Sequence, residues 1–157
     1  MAFLLVLTML SLVPVSSREE LVEVPAGEIV AFWNEPENRV ESDGISSRIK
    51  LKSFQLMKHQ VTQREFNKFL SIHPNWKKEN ASRLFVDATY LESHSKSKSE
   101  LVPVTNISWF AARAYCESIA MRLPTQDEWE YAAAASETKR DANSDEKFLM
   151  RILAWYG

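Results

Sequence analysis

Cysteine is almost absent from this chain, which contains one cysteine in 157 residues. A single thiol forms no disulfide within the chain and builds no cysteine-rich metal site. Glycine is also scarce, at three residues, which leaves little material for a glycine-rich phosphate loop. The 19 lysines and arginines are outnumbered by 21 aspartates and glutamates, so the formal net charge is −2. Because no basic excess exists to neutralise a phosphate backbone, the composition argues against nucleic-acid binding.

The remaining composition is that of one ordinary globular domain. Hydrophobic residues make up 45% and charged residues 25% of the chain. These proportions exclude a mainly disordered chain, a collagen-like repeat and a protein with several membrane spans. Five tryptophans add bulky apolar surface, and 157 residues suit one domain better than two full-sized ones.

The first 17 residues have the outline of a secretory signal peptide. Their apolar run, Phe3–Val13, is shorter than the roughly 20 residues of a membrane span. Pro14 follows the run, and small residues precede Arg18. We therefore expect a secreted or periplasmic protein whose mature part, residues 18–157, has no membrane segment. A misassigned start codon or an uncleaved anchor stays open, because no lysine or arginine precedes the apolar run.

The N-terminal third of the mature chain predicts short strands. Alternating apolar residues indicate strands over Glu20–Val24 and Glu28–Phe32, around a turn at Pro25–Gly27. The stretch Arg48–Met57 predicts a third strand, but its apolar residues change phase halfway. A bulge near Lys52 would return them to one face.

The rest of the chain predicts four helices, two of which begin with a capping box. Thr62 and Glu65 form the first box and predict a helix over Gln63–Ile72. Residues 73–102 are irregular and include a polar tract that predicts a solvated loop. Thr125 and Glu128 form the second box, directly after Pro124.

The other two helices have single capping residues. Ser108 predicts a helix over Trp109–Ala120, whose expected buried stripe consists of Ala112, Tyr115, Cys116 and Ile119. Ser144 predicts a last helix over Asp145–Tyr156, with acidic residues in its first turn.

Three segments occur in a distinctive order: VPAGE, then HQVTQREFNKFL, then PVTNISWFAARAYCESIAMRLPTQDEWEYAAAAS. They resemble the formylglycine-generating enzyme, or sulfatase-modifying factor, superfamily over residues 24–136. That family's pattern has a V-T corner, a V-S-W-x-x-A-x-x-Y-C helix and an R-L-P-T-x-x-E-W-E corner. The matching residues include Thr62, Ser108, Trp109, Tyr115, Cys116, Leu123, Pro124, Thr125, Glu128 and Trp129. The stretches LFVDATYL and FLMRILAWYG look like a secreted bacterial branch found beside copper-dependent denitrification proteins.

The resemblance implies an α+β domain related to C-type lectins, with little regular secondary structure. It leaves the activity open, because the superfamily includes copper-dependent oxidases that convert a cysteine in a Cys-x-Pro-x-Arg segment to formylglycine, iron-dependent sulfoxide synthases and non-catalytic binding proteins. Family domains continue past the R-L-P-T corner into a half that carries calcium and the copper-binding cysteine pair. That half is missing here, so copper and calcium are expected only in a full-length parent. A truncated gene, a fragment and a piece that needs a partner chain all remain open.

Cys116 is the only thiol and therefore the first candidate nucleophile. Its place on an apolar helix stripe, with no histidine nearby in sequence, favours a structural role. Copper(I) prefers two soft thiolates, and this chain has one. The three histidines, His59, His73 and His94, lack metal-ligand spacing. The sequence therefore predicts no catalytic, cofactor or metal residues in this chain.

The remaining candidates are carboxylates and tryptophans. Glu128 and Glu130 are a poor acid–base pair, because residues i and i+2 do not face each other on a helix. Trp109 and Trp129 lie in helix stripes and are expected in the core. Trp76, in the irregular region, is the best candidate for an exposed aromatic residue that contacts a ligand.

Three hypotheses follow for function. In the first, the parent is a secreted metal-dependent oxidase of a protein or peptide cysteine, and this chain supplies scaffold. In the second, the protein is a non-catalytic, lectin-like accessory module. In the third, the chain is a fragment whose apolar faces await a C-terminal half or a partner chain, and alone it exposes apolar patches and self-associates.

Overall fold

The computed structural model describes residues 21–30, 48–92 and 99–154. Contacts group the chain into two compact units, one centred on residues 57–122 and one that combines residues 22–56 with 123–157. The fold is α+β, with small sheets and short helices. The predicted signal peptide, residues 1–17, and the predicted strand ends at Glu20 and Phe32 lie outside the described residues.

Four short strands form two separate two-stranded sheets within the described residues. They are β1 (Leu21–Val24), β2 (Gly27–Ile29), β3 (Ile49–Leu51) and β4 (Phe54–Met57). β1 pairs with β4, and β2 pairs antiparallel with β3, with Glu28 opposite Lys50. The prediction of one bulged strand over Arg48–Met57 is therefore wrong. The phase change in its apolar residues marks a break between two strands that have different partners.

The unit of residues 57–122 begins with α1 (Gln63–Ile72), and the predicted capping box is confirmed. The backbone amide of Thr62 donates to Glu65 Oε2 at 2.8 Å, and the amide of Glu65 donates to Thr62 Oγ1 at 3.3 Å. The chain returns to this corner after the loop, because the amides of Gln63 and Arg64 donate to the carbonyls of Val102 and Glu100. The start of α1 is thus held both by its own capping box and by the distant segment of residues 100–102.

A hydrophobic core fills this unit between α1, α2 (Trp109–Ser118) and the segment between them. Its buried members are Phe66, Phe69, Leu70, Val86, Tyr90, Leu91, Ala111 and Tyr115. The stretch of residues 73–102, predicted as irregular, contains one 3₁₀ turn at Pro74–Trp76 and otherwise turns in its described part. α2 ends at Ser118, two residues before its predicted end, and Ala120 adopts a left-handed φ of 58° that stops the helix.

The other unit contains α3 (Gln126–Ala133) and α4 (Glu146–Leu153). The capping box of α3 is confirmed, with the amide of Thr125 donating to Glu128 Oε2 at 2.8 Å. The predicted cap of α4 at Ser144 is wrong by one residue. Asp145 caps it instead, because its Oδ1 accepts hydrogen bonds from the amides of Lys147 and Phe148. The predicted end of α4 at Tyr156 lies outside the described residues.

No helix in the described part of the chain has both the length and the apolar character that a membrane span requires.

Replacing either capping threonine by alanine should destabilise the protein measurably. For Thr62→Ala and Thr125→Ala we expect losses of about 1 kcal/mol each in the free energy of unfolding, within a range of roughly 0.5–2 kcal/mol. The reason is that each substitution leaves a helix-terminal amide without its hydroxyl acceptor. Urea denaturation followed by circular dichroism measures the loss. Thr62→Ser and Thr125→Ser keep the hydroxyl and should stay within about 0.5 kcal/mol of wild type; equal losses for serine and alanine would show that the cap is not responsible.

Candidate functional site

The hydroxyl residues of the V-T, V-S-W and R-L-P-T motifs lie at helix starts, where they cap backbone amides. Thr62 and Thr125 are the caps of α1 and α3, and Ser108 caps α2 by accepting from the amide of Ala111 at 3.1 Å. Leu123 and Pro124, just before the α3 corner, are half-buried. The most specific motifs of the chain therefore define corners of the fold.

Trp109 does not lie in the core, so that prediction is wrong: its side chain is 57% exposed. The buried face of α2 is set by Ala111 and Tyr115, whereas the sequence pattern pointed to Ala112 and Tyr115. Two residues of helix correspond to about 200° of rotation, so Trp109 lies opposite Ala111. The Arg113 guanidinium lies 5.6 Å from the centre of the Trp109 ring and pairs with Glu117.

Exposed aromatic rings continue from Trp109 across the surface of this unit. The ring of Phe110 lies 5.3 Å from Trp109 and 5.1 Å from Phe85, and Phe85 lies 6.1 Å from Trp76. We call Leu84, Phe85, Trp109 and Phe110 the aromatic face. Trp76, the predicted ligand contact, is half-buried and packs against the core, where its carbonyl accepts a 2.9 Å hydrogen bond from the Tyr90 hydroxyl.

Trp129 is also exposed, at 60%, and the prediction that it lies in the core is wrong. The buried face of α3 and its C-cap is formed by Glu128, Glu130 and Ala134. Trp129 is rotated by about 100° from Glu130 and shares its side of the helix with the exposed Ala133. The two carboxylates have separate structural partners: Glu128 holds the cap, and Glu130 Oε1 accepts from the Gln126 amide group at 3.1 Å.

Cys116 is half-buried and packs against the core beside Tyr115. Burial, with a smaller contribution from the charge of Glu117, raises the pKa of the Cys116 thiol. Burial is also the main cause that raises the pKa of Tyr115 to about 12. A thiol that resists ionisation is a poor nucleophile, since the thiolate is the reactive form. The donor set does not fit copper(I) either, because the chain offers one thiolate.

The raised pKa predicts slow alkylation of Cys116 in the folded protein. With iodoacetamide at pH 8, we expect the reaction to run at least several-fold slower than in 6 M guanidinium chloride, because both burial and the smaller thiolate fraction oppose it. The same raised pKa makes the free energy of unfolding depend on pH. The contribution of Cys116 to stability is present at pH below its unfolded pKa and is lost as the pH rises through its folded pKa. Equal alkylation rates in folded and unfolded protein would contradict the structural role.

No group of three histidine, cysteine, aspartate or glutamate side chains is placed to hold a metal ion within the described ranges. His59 is exposed two residues after the end of β4, and the ring of His73, just after α1, lies 4.9 Å from the ring of Phe69. His94 lies outside the described residues.

Sequence reasoning missed a cavity of about 640 Å³ in the unit of residues 22–56 and 123–157. We call it the α3 cavity. Its lining includes Glu28 and Arg48 from the β2–β3 pair, Trp129 and Glu130 from α3, and Asp141 from the segment after α3. These residues come from distant stretches of the chain, so no local sequence pattern predicts the cavity.

Comparison with known proteins agrees with the motifs. Residues 8–151 match the model of the sulfatase-modifying factor enzyme 1-like domain. The formylglycine-generating enzyme of Bos taurus is 24% identical over 149 residues, covering 74% of this chain and 40% of the relative. The inactive Cα-formylglycine-generating enzyme 2 of Bos taurus is 58% identical over 31 residues, covering 20% of this chain and 10% of the relative.

A third relative has a different name. The serine/threonine-protein kinase pkn1 of Chlamydia pneumoniae is 28% identical over 102 residues, covering 55% of this chain and 15% of the relative. The chain thus spans less than half the length of each of these relatives. The match over residues 8–151 includes both capping-box corners and the helix between them. Because this match covers most of the chain, the chain belongs to the sulfatase-modifying factor enzyme 1-like domain family.

Proposed function

We propose that this chain is the scaffold part of a formylglycine-generating-type protein, whose full-length form oxidises a cysteine in a protein or peptide substrate. The observation that carries the proposal is the family match over residues 8–151, together with the signature corners at Thr62 and Thr125. In this proposal the chain contributes folded corners and surfaces. The reactive cysteine pair, with its copper, belongs to the rest of the full-length protein, and so does any calcium.

Two exposed apolar surfaces support the proposal that this scaffold binds a partner. In the unit of residues 57–122, the aromatic face includes Leu84 at 85% exposure. In the other unit, α4 leaves Leu149, Met150 and Leu153 exposed while Phe148 and Ile152 are half-buried. Exposed apolar clusters of this kind mark interaction surfaces. We propose that the remaining domain half, or a partner chain that supplies it, covers them, and that residues 1–157 alone self-associate.

A cysteine-oxidation assay tests the proposed activity. The full-length protein is incubated with copper, oxygen, a thiol reductant and a Cys-x-Pro-x-Arg peptide, and the product is detected by mass spectrometry and aldehyde labelling. We expect an aldehyde at the cysteine position and none with a peptide that carries serine there. A folded, copper-loaded protein that forms no aldehyde would remove the proposed activity.

The second candidate function is a non-catalytic, lectin-like accessory module. The single half-buried thiol and the α3 cavity favour it, because they offer a binding site without a nucleophile. The full-length sequence and the reaction of the full-length protein with the peptide distinguish the two candidate functions. A cysteine pair downstream of residue 157 together with aldehyde formation supports the enzyme, whereas ligand binding without oxidation supports the module.

We further propose that residues 1–17 direct secretion or export to the periplasm, in a bacterial protein that works beside copper-dependent denitrification proteins. The apolar run and the small residues before Arg18 support this location. Intact mass of the protein from its source tests it: cleavage gives an N-terminus at Arg18, and an N-terminus at Met1 contradicts it.

A further inference from the structure

We draw no further inference here: the strongest candidate, the exposed aromatic face in the unit of residues 57–122, already belongs to the interface proposed for the remaining domain half, and nothing in the described part of the chain shows what other occupant covers it.

Discussion

Phe66→Ala should lower the free energy of unfolding by about 3–5 kcal/mol. The Phe66 side chain is 1% exposed, and its ring lies 5.2 Å from that of Phe69 and 5.8 Å from that of Tyr115. Truncation removes a ring from the middle of the main core and leaves a cavity between α1 and α2. Urea denaturation followed by circular dichroism and tryptophan fluorescence measures the loss.

The matched control for Phe66 lies on the same helix. Ile72 is an apolar residue of α1 whose side chain is 73% exposed, so Ile72→Ala should change stability by no more than about 0.5 kcal/mol. The comparison separates burial from helix propensity, because both variants place alanine in α1. A loss below 1 kcal/mol for Phe66→Ala, or equal losses for the two variants, would contradict the described core.

In Gly27→Ala, overpacking should cost about 1–3 kcal/mol of the free energy of unfolding. Gly27 begins β2, and the phenol of Tyr131 on α3 lies directly against it. A Cβ at position 27 would lie 2.7 Å from Cζ of Tyr131 and closer still to its hydroxyl oxygen. Alanine is the better residue within a strand by roughly 0.5–1 kcal/mol, which offsets part of the cost. Denaturant unfolding of the single variant gives the net loss.

A double-mutant cycle assigns that cost to the contact. In a Tyr131→Ala background the obstructing ring is gone, so Gly27→Ala should become neutral or slightly stabilising. We expect a coupling free energy of about 1–3 kcal/mol between the two positions. If Gly27→Ala costs the same in both backgrounds, the contact between β2 and α3 is not the cause.

Features that depend on residues close in sequence were predictable. Both capping boxes join residues three apart, so Thr62 with Glu65 and Thr125 with Glu128 identify helix starts before any tertiary contact is known. The start and end of α1 follow from the same local signals, since Pro74 stops the helix.

Features that depend on packing were not predictable in detail. Apolar residues surround α2 and α3 on more than one side, and tertiary contacts decide which side is buried. On α2, the burial of Ala111 leaves the Trp109 side chain exposed to solvent. On α3, the burial of Glu130 and Ala134 leaves the Trp129 side chain exposed to solvent. Apolar periodicity predicts that a helix has a buried stripe. An error of one residue in the position of that stripe moves it by about 100° around the helix.

Strand pairing and the candidate cavity are equally non-local. The break at Lys52 looked like a bulge because sequence alone gives no strand partners, whereas β3 and β4 belong to different sheets. The α3 cavity gathers residues about 100 positions apart, such as Glu28 and Glu130, so its lining is brought together only by folding.

The most direct test of the scaffold role compares the full-length protein with its Cys116→Ala variant in the cysteine-oxidation assay. Both proteins are loaded with copper, checked for folding by circular dichroism and given the same Cys-x-Pro-x-Arg peptide. We predict aldehyde formation by both, at rates within about threefold, because Cys116 is a half-buried packing residue whose pKa is raised. Loss of aldehyde formation in a folded Cys116→Ala variant would place the reactive thiol in this chain and contradict the account.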